Sequence, residues 1–247
     1  MKRLYINPKY QKQLTDEGLD DFSALVAMAE KGDLVSVDVG RTTHKLQLGG
    51  HSYYLKSVSK PIIAGSVESV LTLRKPHHYC WRELKQVNAL RALGLSVMEV
   101  AAAGESSSGA VLDFSFLLTP EVEGHSLEAV LEHAGPEEKV SLLAKLGSLV
   151  GRLHRSGFFS PVRTKDIIVD PDGQFVMIDR ETRKPGPRRF SQRKVLGGLR
   201  KTQLRQGRDG HHWDEEQMQA YLAAYLAEAP PELNMTEAQL IDALDTR

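Results

Sequence analysis

The 247-residue sequence predicts an α+β fold in two lobes: a five-stranded antiparallel N-terminal lobe with one main helix, and a mostly helical C-terminal lobe. Three observations carry that expectation. Residues 34–58, LVSVDVGRTTHKLQLGGHSYYLKSV, alternate β-type residues around a Gly49-Gly50 hairpin turn. The following HYCWRELKQVNALRALG repeats apolar residues at helical spacing, with Trp81, Leu84, Val87, Leu90 and Leu93 on one face. Beyond residue 124 the apolar period becomes helical, interrupted only by two short β runs.

Taken in order, DDFSALVAMAEK reads as a short amphipathic helix ended by Gly32. Three strands follow at about 34–39, 43–48 and 51–58, then a basic, proline-marked connection and the main helix. VMEVAAAGE and AVLDFSFLLT supply two more strands about a polar Gly/Ser turn at 104–109. Pro120 to Gly124 is a connector, after which SLEAVLEHAG and EEKVSLLAKLGSLVGRLHRSG are helices. DIIV and FVMID bracket the turn Asp170-Pro171-Asp172-Gly173, and EEQMQAYLAAYLAEA returns to helix. The expected organisation is a helical N-terminal extension (1–33), a sheet lobe (34–119) and a helical lobe (120–247) acting as one functional unit.

Composition excludes several classes. Lysine plus arginine equal aspartate plus glutamate at 32 each, so no global field favours nucleic acid or an anionic membrane. The single cysteine, Cys80, excludes an internal disulfide and fits a reducing, cytoplasmic setting. No apolar run has signal-peptide or spanning length, so neither secretion nor membrane spanning is expected. His77-His78 with Cys80, and His211-His212, lack the spacing of a zinc site.

A five-stranded lobe with a helix after strand three, a short hinge, then a helical lobe holding a hairpin that ends in Ile-Asp is the order of a bilobal protein-kinase-like fold. Its motif positions carry chemistry. Lys56, in YYLK at the end of the third strand, sits where a lysine reaches ATP phosphates, and Glu83, in WREL, sits where the next helix supplies its partner. Asp166 falls at the last position of the H-R-D-x-x-x-x-N pattern, and Asp179 of VMIDRE at the second, metal-binding aspartate. Two carboxylates in that arrangement suit Mg²⁺ on triphosphate oxygens. Each residue alone also has an ordinary reading: a solvated lysine, or an aspartate capping a turn.

Counting back from Asp166, the H-R-D triplet becomes Phe159-Ser160-Pro161. Proline thus replaces the aspartate that accepts the substrate proton. Three consequences stay open. Phosphoryl transfer survives on positioning and charge stabilisation, with Asp166 serving both metal and hydroxyl. Alternatively the chain binds nucleotide or a glycolipid without transfer, as a pseudokinase, since proline offers neither base nor donor. The third is nucleotidyl rather than phosphoryl transfer.

Further candidates surround this frame. Backbone amides of Gly40, Arg41, Thr42 and Thr43 contact phosphate in this reading, although Gly40 is the only glycine of that hairpin. Glu181, two residues after Asp179, is a candidate additional metal ligand or a surface carboxylate paired with arginines. The stretch RKPGPRRFSQRKVLGGLRKTQLRQGR contains no acidic residue, and Arg183, Arg188 and Arg189 are candidates for holding an anionic sugar or phosphate. An anionic leaflet or a merely solubilising role are the alternatives; the segment lacks the interleaved aromatics of nucleic-acid binders.

LGGHSYYLK, HHYCWRELKQVNALRALGL, LVGRLHRSGF, TKDIIVDPDGQFVMIDRE and KPGPRRF, in this order and spacing, resemble the bacterial lipopolysaccharide kinase family, the heptose and Kdo kinases, and in particular its low-pH-inducible and toluene-tolerance branch. The resemblance runs over roughly residues 20–225. It implies a protein-kinase-like fold, ATP with Mg²⁺ as cofactors, and phosphorylation of an alcohol group on a lipopolysaccharide core sugar at the cytoplasmic face of the inner membrane, with peripheral membrane contact. By motif position it assigns roles to Lys56, Glu83, Asp166 and Asp179. It does not extend to Phe159-Ser160-Pro161, which leaves a pseudokinase acting in envelope stress as the rival.

Overall fold

A computed structural model describes residues 1–63, 77–109, 111–208 and 212–245. Most of the basic, proline-marked connection and His211 fall outside these residues, as do the side chains of Arg205 and Arg208. The chain divides into two compact units, one of Met1–Val122 with Asp179–Pro185, the other of Glu123–Ile178 with Gly186–Arg247.

The first unit is built on an antiparallel sheet. Its strands are β1 (Lys2–Ile6), β2 (Asp33–Asp38), β3 (Arg41–Leu48), β4 (His51–Val58), β5 (Ile62–Ile63), β6 (Ala102–Ser108) and β7 (Val111–Pro120), in the order β1-β6-β7-β4-β3-β2 with β5 also on β7. The five expected strands are present, and β1 and β5 extend them to seven among the described residues. Gly49 and Gly50 close the β3–β4 hairpin with both φ positive, at 56° and 79°, which a two-residue turn requires.

Alternation along the strands sorts the two faces. Leu46, Leu48, Tyr53, Leu55, Phe116 and Leu118 point to one side and form a core with Tyr10 and Leu14 of α1 (Pro8–Asp16) and Leu25 of α2 (Phe22–Met28). Asn7 caps α1 by accepting the Lys9 N–H, and Pro8 opens it. Glu99 holds α1 from outside, taking hydrogen bonds from Lys9, Tyr10 and Arg91. Residues 1–33 are therefore more than the helical extension read from sequence: they include an edge strand and pack α1 and α2 on one face of the sheet.

The other face carries α3 (Tyr79–Arg91), which buries Leu84, Val87 and Leu90. Trp81 is only half-buried, and Leu93 lies beyond the helix and is exposed. The polar turn expected at 104–109 is instead mostly strand. Ser106 and Ser108 donate to Asp113 across the β6–β7 pair, and a Cβ at Gly104 would fall 2.4 Å from the Phe116 ring. Gly109, at φ 61°, is where the chain turns.

The second unit is mainly helical. Its helices are α4 (Leu127–His133), α5 (Pro136–Arg155), α6 (Gln192–Arg208), α7 (Glu215–Glu228) and α8 (Glu237–Asp245), beside a small sheet of β8 (His125–Ser126), β9 (Ile167–Val169) and β10 (Phe175–Met177). Helix α5 starts with Pro136, Glu137 and Glu138 and ends with Arg152, His154 and Arg155, matching its macrodipole. Gly147 and Gly151 let α7 lie directly on its backbone: an added Cβ would meet Tyr221 O at 2.1 Å and Tyr225 O at 2.6 Å. Asp214 and Gln217 form a capping box on α7.

Candidate functional site

In the first unit the structure gathers Lys56, Glu83 and Asp179. Lys56 lies near the end of β4, where its cross-strand partner is Thr43 and its face is the one that carries α3. Its Nζ donates to Glu83 Oε2 at 2.9 Å and to Asp179 Oδ1 at 2.8 Å. Glu83 is 1% exposed, whereas Asp179 is 46% exposed at its side chain. One end of the lysine is thus anchored in the core and the other faces a carboxylate accessible to solvent.

The electrostatics follow from burial and pairing. Burial pulls the Lys56 ammonium down, but the two carboxylates outweigh it and hold it above its ordinary value. Burial pushes the Glu83 carboxyl up while the ammonium opposes that push. Glu83 Oε1 is buried with no hydrogen-bond partner. Nearby Cys80 is buried, its thiol pushed up to about 12, so it stays protonated and unreactive.

Asp179 has φ 50°, in the left-handed region that non-glycine residues enter seldom, and aspartate more readily than most. That turn sends the chain from Ile178 into the Asp-Arg-Glu segment. Glu181 there meets Arg41, the first residue of β3, with Nη1–Oε2 at 2.9 Å and Nη2–Oε1 at 3.5 Å. The Arg41 guanidinium also lies 4.6 Å from the ring centre of Tyr79, as does that of Arg82. Gly40, at φ 70°, precedes Arg41, and its carbonyl accepts the Ser59 N–H. Thr42 turns to the opposite face and pairs with Ser57, while Thr43 shares the face of Lys56.

The second unit holds the segment where the base is missing. Phe158 is buried, Val162 N–H donates to Thr202 of α6 at 3.2 Å, and a Cβ at Gly198 would sit 2.6 Å from Phe159 O. Close packing on α6 therefore fixes the stretch around Pro161. Asp166, 8% exposed, has both oxygens gripped by the Arg163 fork, each at 2.7 Å. A metal or hydroxyl has to share or displace that fork. Its backbone carbonyl accepts the Ile178 N–H at 2.8 Å, which ties it to the residue preceding Asp179.

Of the basic candidates, Arg183 belongs to the first unit and is exposed; Arg188 and Arg189 belong to the second. Arg188 is partly held by its backbone, donating to Gly157 O at 2.9 Å, and Arg189 is exposed. Sequence reasoning missed Arg163, Tyr79 and Arg82. A three-residue spacing was the available signal in both cases, Arg163 to Asp166 and Tyr79 to Arg82; nothing local marked the approach of Arg41 to Tyr79.

The donor set is suited to Mg–ATP: an anchored lysine for phosphate, an accessible carboxylate for a hard cation, and arginine forks. Comparison with known proteins bears on the fold and the family. The lipopolysaccharide core heptose(I) kinase WaaP of Pseudomonas aeruginosa is 26% identical over 147 residues, which are 57% of this chain and 54% of that protein. The chain thus aligns with about half the length of that relative. A solved structure of WaaP in complex with acyl carrier protein superposes with a TM-score of 0.69 at 19% identity, covering 98% of this chain and 96% of that one, and shows the shared fold. Residues 28–225 match the lipopolysaccharide kinase (Kdo/WaaP) family, and the chain belongs to that family.

Proposed function

We propose that the protein binds ATP with Mg²⁺ and phosphorylates a sugar hydroxyl of the lipopolysaccharide core or a related anionic envelope glycolipid. The observation that carries this reading is Lys56, held between buried Glu83 and accessible Asp179. Bound Mg–ATP supplies the transferable phosphoryl group and the cation that neutralises its charge. Lys56 orients phosphate oxygens, Asp179 and Glu181 offer oxygen ligands to the metal, and the turn at Gly40 lies over the phosphates; the Arg41, Thr42 and Thr43 backbone, expected from sequence to contact phosphate, is instead committed to the ladders with β2 and β4. In this reading Asp166 is a further metal ligand, available once Arg163 yields one of its oxygens. Arg183, Arg188 and Arg189 receive the anionic acceptor.

Without a catalytic aspartate at position 161, transfer rests on positioning and charge stabilisation. The acceptor hydroxyl loses its proton late, in a loose transition state. A membrane-embedded acceptor implies peripheral contact with the inner leaflet, and the exposed Arg193, Lys194 and Lys201 of α6 suit it. No helix among the described residues is long and apolar enough to cross a membrane.

One observation favours the pseudokinase alternative: Asp166, the only motif carboxylate of that loop, is closed by Arg163 on both oxygens. The deciding experiment is lipopolysaccharide phosphate content in a deletion strain complemented with wild type or Asp179→Ala. Restoration by wild type alone supports the enzyme. Restoration of envelope tolerance without any change in core phosphate supports the pseudokinase.

A further inference from the structure

The D-R-E segment and the sheet face each other with matched charges. Lys56 meets Asp179, and Arg41 meets Glu181 through both terminal guanidinium nitrogens, Nη1 and Nη2. Arg41 and Thr43 lie on the same face of β3 as their cross-strand partners Val58 and Lys56 on β4, so both cations project from one side of the sheet. A carboxylate in an arginine fork has the recognition chemistry of a phosphate in the same fork. Glu181 occupies the fork in the way a phosphate would.

A second cation stands beside it. Arg82 shares the Tyr79 ring with Arg41, forms no ion pair among the described residues, and has a buried Nε without a partner. Two guanidinium groups thus lie against a single aromatic ring, and of the two only Arg41 has a carboxylate partner among the described residues. Stacking pre-orients Arg41, which lowers the cost of gripping a planar pair of oxygens.

We propose that Arg41, backed by Arg82 across Tyr79, is the side-chain grip for the terminal phosphates, and that Glu181 is its resting occupant. On binding, Arg41 exchanges Glu181 for phosphate oxygens, and Glu181 is released toward the metal. This gives the short hairpin, which has one glycine, a side-chain substitute for a glycine-rich phosphate loop. The inference rests on the nucleotide-binding reading.

Calorimetric titration of the full chain with Mg–ATP, AMP and metal-free inorganic tripolyphosphate tests it. Arg41→Ala is expected to weaken Mg–ATP and tripolyphosphate by about tenfold or more while leaving AMP unchanged, and Arg41→Lys to restore only part. Glu181→Gln is expected to tighten metal-free tripolyphosphate severalfold, because the fork is vacated. Thermal unfolding of each variant confirms that it is folded. Mg–ATP binding that is indifferent to Arg41→Ala overturns the grip and leaves the nucleotide reading intact. Arg41-dependent tripolyphosphate binding without Mg–ATP binding supports the grip and removes the nucleotide reading. Absence of all three removes both.

Discussion

Lys56 and Asp166 are both held by opposite charges, but in opposite senses. Lys56 has two carboxylate partners, one of them 46% exposed, so it can exchange a partner for a ligand and remain anchored by Glu83. Asp166 has a guanidinium three residues away on both oxygens and is itself 8% exposed, so a ligand must compete with a bidentate grip. The difference teaches that Lys56 is open to exchange whereas Asp166 is closed, which the proposed function reads as an open nucleotide side and a closed transfer side. Loss of the base at position 161 and closure of Asp166 concern the same loop.

The largest effect that would break this comparison comes from restoring the absent group. Pro161→Asp is expected to raise phosphoryl transfer by about a hundredfold with no change in Mg–ATP affinity, measured by single-turnover assay on purified core oligosaccharide. If the rate is unmoved, general-base loss is not what limits the transfer side.

Next is the anchor. Lys56→Met leaves the Glu83 carboxylate buried and unpaired, so a stability loss of about 3 kcal/mol is expected in denaturant unfolding. Lys56→Met combined with Glu83→Leu should recover most of it. Recovery separates a structural debt to Glu83 from the loss of phosphate binding, which the double variant retains.

A pH experiment sharpens the transfer side. His154 of α5 is buried, hydrogen-bonded to Tyr225 at 2.9 Å and packed on Phe159 with ring centres 5.5 Å apart. Burial holds its imidazole down at about 4 against an ordinary 6.5. The unfolded chain therefore takes the proton first as pH falls. The contribution is complete above about pH 6.5 and is lost toward pH 4, at most about 3 kcal/mol. His154→Gln should flatten the fall of Tm across that window. An unchanged slope would assign the acid sensitivity to other groups.

The smallest effect concerns α1. Burial pushes the Glu99 carboxyl up, but its hydrogen bonds from Lys9, Tyr10 and Arg91 prevail and hold it at about 2. Its stabilisation is present above about pH 4.5 and fades as pH drops toward 2. Glu99→Gln is expected to cost about 1 kcal/mol at pH 7, read by chemical denaturation, and less at pH 3.

The sheet hairpins and the main helices were legible because their signals are local: Gly49-Gly50 sets a turn, and Leu84, Val87 and Leu90 set a helical face. Strand β1 was not legible, because Lys2–Ile6 pairs with Ala102–Ser106 about a hundred residues away and its neighbours read as helix. Ser106 to Ser108 read as a turn because their strand is satisfied by Asp113 rather than by β-branched side chains. Within the site, motif order located Lys56, Glu83 and Asp179. An arginine partner for Glu181 was one of two readings of the sequence; that the partner is Arg41, and that Arg163 closes Asp166, was not foreseen, since side-chain pairing depends on where backbones converge.

The most direct measurement is calorimetric titration of Mg–ATP into wild type, Lys56→Met/Glu83→Leu and Asp179→Asn, with folding verified by thermal unfolding. The account predicts metal-dependent binding by wild type that both variants lose. Wild type that is folded and binds no Mg–ATP, or variants that bind it equally well, would contradict the open nucleotide side on which the account rests.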